Sequence, residues 1–398
     1  MTVNVAQIPG LAPPFSGHQA TETLSPGGLP QIQLPTGHLA THLTSYANVK
    51  AVLSDPSFLR ACTNTDEGPS YLPTTMPPEM LLNLDVPDHA RLKGLANRFY
   101  SAASFMQSQD TVRQTLSELF RPGSNTDLMS EVLVPLTVTV NCSVLGLDPD
   151  EIPAFHQHAV EMQMAASDDV DSLKAHFAEL YAYIEGLVTS RRVRGDGLIA
   201  CLLDAGGNLD DALTPAEASA ILLGSIVGGD QNVLSTLSKV MFVLLAESEL
   251  WATLTDDPER IPAAVEELIR VLPLGTISTF PRVAGEDIRL PSGSSITRGE
   301  VVVADVHEAN MDARVFPDPQ VIDFNRSGPR HLQFGYGMHH CMGSALARME
   351  ITQTVDYLAR NVPDLRLACP AEAIQWETGV LIHRPTTLPV AQGQELVA

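Results

Sequence analysis

From Asp88 to about Ser248, apolar positions recur at helical spacing. Turn signals interrupt the pattern only at Arg121-Pro122-Gly123, Asp148-Pro149-Asp150 and Ala205-Gly206-Gly207-Asn208. Within that stretch, residues 215 to 247 lack an internal proline and are apolar at 218, 222, 223, 226, 227, 233, 234 and 237. Pro215, behind Leu213-Thr214, is a helix-start signal, so the pattern predicts one long, largely buried helix. Further helices are predicted over 45–54, with Val49, Val52 and Leu53 on one face, over 262–272, and from about Cys341. Ile32–Pro35 and His38–Leu43 flank Thr36-Gly37 as a hairpin, and strand-like segments lie around 283–297 and 365–390. A Pro/Asp-rich meander covers 312–329. Residues 63 to 78, dense in Thr, Pro, Gly and Ser, form a loop long enough to suggest a functional part. Residues 1–31 show no period and read as an arm on a body spanning 32–398. With no internal repeat and no linker between separable cores, the expectation is a single domain, mainly α with a small β portion.

Composition narrows the partners. Of 398 residues, 24 are Lys or Arg and 47 are Asp or Glu, a formal charge of −23. So acidic a chain is unsuited to nucleic acid or to an anionic membrane surface. The uncharged run from Ala218 to Gly229 is far shorter than the ~20 apolar residues of a membrane span. The first basic residue is Lys50, which leaves no positive leader region. Cysteines at 62, 142, 201, 341 and 369 have no paired spacing, which suits a reducing cytoplasm better than a disulfide or zinc framework.

The segment from Phe334 to Arg348 carries the most specific chemistry. Its order is Phe-Gly-Tyr-Gly-Met-His-His-Cys-Met-Gly-Ser-Ala-Leu-Ala-Arg. Glycines at 335 and 337 permit a tight loop, and Cys341 falls where a helix begins, so amides and helix dipole favour a thiolate. This segment resembles the haem-ligand loop of the cytochrome P450 family. The likeness runs from about Leu34 to Val390 and is that of the soluble bacterial branch. It implies the family's single-domain fold, with haem b (iron protoporphyrin IX) between the long central helix and the loop, and Cys341 as axial iron ligand.

Other positions match the same family. Glu267 and Arg270 fit its Glu-x-x-Arg pair, three apart on one helix face, which ties the core to the meander. His89 and Lys93, on the helix opened by Asp85-Val86-Pro87-Asp88, fall where the family binds a haem propionate. Lys stands there in place of the usual Arg and offers a point charge rather than a planar fork. Arg282 and His339 match the other propionate contacts. All four answer one demand: two buried carboxylates need donors.

On the central helix the family reads Ala-Gly-x-Asp/Glu-Thr, and this chain reads Val227-Gly228-Gly229-Asp230-Gln231-Asn232. Taking Asp230 as the acid puts Gln231 in place of the alcohol, and the two are the expected catalytic residues. Gly228 and Gly229 read either as an opening above the iron or as close helix packing. Analogy places Val227, Gly228, Leu274, Thr276, Ile277 and Val380 around the substrate, and their mixture suggests a neutral, medium-sized, partly apolar ligand.

The resemblance implies a haem-thiolate monooxygenase of bacterial secondary metabolism. It would use O2 and two electrons passed through ferredoxin reductase and ferredoxin, in the cytoplasm. One alternative keeps the cofactor but couples carbon to carbon or nitrogen by radicals, on a cyclic dipeptide or other aromatic peptide. Another is a non-catalytic haem sensor or carrier, and a metal-free scaffold is more remote.

Overall fold

The computed structural model describes the chain except residues 1–2, 12–18, 73–74, 98, 101, 121–125, 148–169, 191–196, 205–212, 276–278, 379–380 and 394–398. Its long helix starts as the sequence predicts. Thr214 Oγ1 accepts from the Glu217 amide at 3.2 Å, and Glu217 Oε2 accepts from the Thr214 amide at 2.8 Å. This reciprocal cap fixes the first turn. The helix runs as α over Pro215–Val227, widens to a π-turn over Gly228–Asn232, and resumes as α over Val233–Ala246. Its second half is buried nearly all round, so it forms the axis of the helical core rather than a surface element.

Helices Asp88–Asn97, Ile261–Val271 and Ser344–Asn361 surround that axis. A six-stranded sheet stands beside them in the order Gln19–Leu24, Pro30–Gln33, Leu39–Leu43, Val301–Ala304, Arg282–Ala284, Phe58–Leu59. Neighbours are antiparallel except Leu39–Leu43 with Val301–Ala304. The predicted hairpin closes on Gly37, whose φ of 84° suits glycine, with its amide donating to the Leu34 carbonyl at 2.8 Å. A small apolar cluster of Val49, Val52, Phe58 and Val302 fills the space beneath the sheet. The sheet brings Arg282 inward beside the helical core.

Two regions differ from expectation. The arm contributes Gln19–Leu24 to the sheet edge and pairs Val3–Asn4 with Val321–Ile322. Glu22, Thr23 and Leu24 are exposed, so main-chain pairing rather than a buried stripe holds that strand, and no apolar period marks it. Among the described residues from 365 to 391 only Arg366–Leu367 and Pro389–Ala391 are strands, paired antiparallel with each other, and Trp376 and Pro385 form a separate isolated bridge. Prolines at 370 and 385 interrupt the ladder. No helix among the described residues is long and apolar enough to cross a membrane.

Candidate active site

The Cys341 loop is held by backbone geometry. Gly335 and Gly337 adopt φ of 71° and 67°, and a Cβ on Gly337 would lie 2.4 Å from the Leu53 carbonyl oxygen. The Cys341 amide donates to the Phe334 carbonyl at 2.9 Å, so the cysteine sits at the end of a closed turn ahead of Ser344–Asn361. Cys341 is a free, exposed cysteine that is nonetheless crowded by surrounding protein atoms. That crowding raises the pKa of its thiol; the amides of Gly343 and Ser344 and the charges of Lys93 and Arg348 pull it down. The sequence anticipated the stabilising amides; in the structure, burial outweighs them. A coordinated cation would reverse the balance, since it deprotonates the thiol it binds.

Basic side chains from three elements converge near this loop. His89 comes from Asp88–Asn97, Arg282 from the sheet, and His339 from the loop itself. The His89 and His339 rings lie 4.3 Å apart, centroid to centroid. Arg282 Nε and Nη1 and His339 Nε2 are buried without a hydrogen-bond partner among the described residues. Burial lowers the pKa of His89 to about 4, that of His339 to about 2 and that of Arg282 to about 10. Arg60, missed in the sequence, adds another buried guanidinium, lowered to about 9 by burial and then by Arg282. Lys93 Nζ donates to the carbonyls of Met338 and His340, the latter at 2.7 Å. The acid beside this cluster is Asp85, which accepts from the amides of Arg60 and Ala61 at 2.8 and 3.0 Å. Buried donors in such excess call for an anion.

The Glu267–Arg270 pair is buried and bidentate, with both contacts at 2.8 Å. Glu267 Oε1 also accepts from Arg326 Nε and the Asp323 amide, while Arg270 donates to the carbonyls of Asn310 and Pro319. The pair therefore ties the helix to the meander.

The central helix presents two faces at its π-turn. A Cβ at Gly228 would meet nothing within 4 Å, whereas one at Gly229 would strike Asn141 at 2.7 Å. Gly229 therefore packs closely on Asn141, and Gly228 faces open space among the described residues. Asp230 and Gln231 are fully buried. Gln231 Nε2 donates to Asp230 Oδ2 at 2.9 Å, and Gln231 Oε1 accepts from Arg384 Nη1 at 2.5 Å. Arg384 Nε also reaches Glu377 at 3.2 Å. Beyond Asp230 lies Glu350, whose carboxyl is raised well above the usual range by burial and then by Asp230. Asn232, passed over in the sequence, is half-buried, and its Oδ1 has no partner among the described residues. It follows Gly228 by four residues, a spacing that places it on the same side of a helix. That spacing was available in the sequence as a signal.

Of the expected substrate contacts, Val227, Gly228 and Leu274 are half-buried around this region. Thr276, Ile277 and Val380 lie outside the described residues.

The family model described as Cytochrome P450 matches residues 259–361. The chain is 35% identical to nocardicin C N-oxygenase of Nocardia uniformis subsp. tsuyamanensis, covering 90% of this chain and 91% of that one. It is 33% identical to mycinamicin IV hydroxylase/epoxidase of Micromonospora griseorubida, over 96% and 95% of the two chains. The crystal structure of a cytochrome P450 with biaryl coupling reactivity superposes with a TM-score of 0.83 at 29% identity, over 89% of this chain and 90% of that one.

Proposed function

This chain belongs to the cytochrome P450 family of oxidoreductases, and on that premise we propose that it oxidises a neutral, medium-sized, partly apolar metabolite of bacterial secondary metabolism. The observation that carries the reading is the group of acceptor-less buried donors, Arg282 and His339, beside the open thiol of Cys341. That set fits a haem: Arg282, His339, His89 and Lys93 would hold its two carboxylates, and Cys341 Sγ its iron. Bound there, the haem supplies the redox chemistry, reductive cleavage of dioxygen, for the overall change RH + O2 + 2 e⁻ + 2 H⁺ → ROH + H2O.

The protein's own groups define what surrounds that reaction. Gly228 leaves room on the helix face for dioxygen and substrate. Asn232 Oδ1 accepts a hydrogen bond from a water or a substrate hydroxyl and holds a proton donor there. Gln231 and Asp230 act one step back as positioning residues, with the Gln231 amide fixed between Asp230 and Arg384. Val227 and Leu274 supply apolar wall. Electrons arrive from a ferredoxin and its reductase in the cytoplasm. The ferredoxin docks near Arg330 and Arg348, although Arg348 is already paired with Glu266.

A second reading retains support from the biaryl-coupling structure and from the amides at 231 and 232 in place of an alcohol. In it, two C–H bonds are lost and one C–C bond forms, 2 RH + O2 + 2 e⁻ + 2 H⁺ → RR + 2 H2O. Turnover under 18O2 with candidate metabolites separates the two by product mass. Label in the product supports oxygenation; loss of two hydrogens without label supports coupling. Ligand displacement with no product under supplied electrons would contradict both and favour a sensor.

A further inference from the structure

Downstream of the π-turn, two of the central helix's buried polar side chains reach across to other stretches of chain. Ser235 and Lys239 are almost wholly out of solvent, four residues apart on one helix face. Lys239 Nζ donates to the carbonyls of Pro273 and Leu274, at 2.7 Å each. Ser235 Oγ lies 3.0 Å from the carbonyls of both Leu274 and His383. One turn earlier, Gln231 receives Arg384. Two distant stretches of chain, around 273–275 and 381–384, thus hang on three successive turns of one helix. They also touch each other: a Cβ on Gly275 would lie 1.9 Å from the Leu381 carbonyl oxygen.

An unpaired ammonium is among the most costly groups to bury, and none is needed to fill this space. Burial and then Arg384 lower the Lys239 pKa to about 7. Glu377 opposes that shift, while His383 is itself lowered to about 4 and His307 is lowered on the far side. An apolar side chain would fill the volume but could not hold two carbonyls.

We propose that Lys239, together with Ser235 and the Gln231–Arg384 pair, is a positioning residue that fixes the two chamber-wall segments 273–275 and 381–384 and so determines which ligand shapes the chamber accepts. This rests on the proposed function, in which Leu274 walls the substrate; the 381–384 stretch joins that wall through the close approach of Leu381 to Gly275.

The test uses the haem-loaded full chain and two iron-binding probes, imidazole and 4-phenylimidazole, each read as a red shift of the Soret band. Imidazole needs little room, whereas the phenyl ring must fit between the walls. Lys239→Met should change the 4-phenylimidazole Kd at least tenfold and leave the imidazole Kd within twofold. Ser235→Ala should shift the same ratio about threefold, and it decides the matter alone should Lys239→Met yield no haem-loaded protein. A ratio unchanged within twofold, with or without a lower Tm, would overturn the proposal, since a merely structural role lowers Tm without moving the ratio. Failure of the underlying reading would look different, because neither probe would then shift a Soret band even in the unmutated protein.

Discussion

Gln231 Oε1 accepts a hydrogen bond from Arg384 Nη1 at 2.5 Å, so the side chain expected at the reacting centre is anchored in the interior. Its other end donates to Asp230, which leaves the amide no free rotation. Removing it would leave a buried guanidinium N–H without this acceptor, a loss of about 1–3 kcal/mol. Gln231→Ala should therefore lower Tm by a few degrees and, through the released Arg384, change product per electron pair by no more than about fivefold, measured by calorimetry and by product yield.

Asn232 should behave in the opposite way. Its Oδ1 has no partner among the described residues, so Asn232→Ala sacrifices no hydrogen bond to them at that atom. Tm should stay within about a degree, while the fraction of electrons lost as peroxide rises severalfold. A positioned proton donor is typically worth about 10²–10⁴-fold in rate. Peroxide assay with the native substrate checks this, and unchanged coupling would remove Asn232 from the chamber's chemistry.

Lys239 gives a pH dependence of definite sign. Its folded pKa is lowered to about 7, against 10.5 for the ordinary group. Between those values the unfolded chain holds a proton that the folded chain lacks, so this group makes stability rise with pH. Below about pH 7 both states are protonated and its contribution is flat, at its least favourable. Lys239→Met should flatten the rise between about pH 7 and 10, by an amount of order several kcal/mol, in urea midpoints taken across that range.

Glu267→Ala should be far more damaging than an ordinary surface change. It leaves Arg270 and Arg326 without the carboxylate they share. Breaking such a buried pair costs about 3–5 kcal/mol. Expression should give little haem-loaded protein, and Glu267→Gln should recover part of it.

The sequence disclosed what local pattern encodes. The Thr214-Pro215 helix start, the Gly-rich Cys341 loop and the Glu267–Arg270 spacing each depend on residues close in the chain. What it hid depends on long-range placement. The strand at Gln19–Leu24 exposes most of its side chains and is held by pairing with Pro30–Gln33, so no apolar alternation marks it. Arg60 joins Arg282 across 222 positions, and Arg384 reaches Gln231 across 153. The π-turn at Gly228–Asn232 shifts the helical phase by part of a turn. That shift bears on which of two neighbouring amides faces the open side, and a motif match placed on Gln231 does not resolve it.

The donors around Arg282 offer a test that needs no substrate. Arg282→Leu should raise the rate of haem transfer to apomyoglobin about tenfold or more, because a buried carboxylate loses its guanidinium partner. Equal transfer rates would mean that the cluster serves another anion.

The central claim is that Cys341 binds a haem iron as thiolate, and the reduced carbon-monoxide complex reads this directly. The unmutated protein should show the strongly red-shifted Soret band of thiolate ligation, and Cys341→Ser should lose that band while Cys62→Ser keeps it. Retention of the band in Cys341→Ser, or its absence from the unmutated haem-loaded protein, would contradict the account.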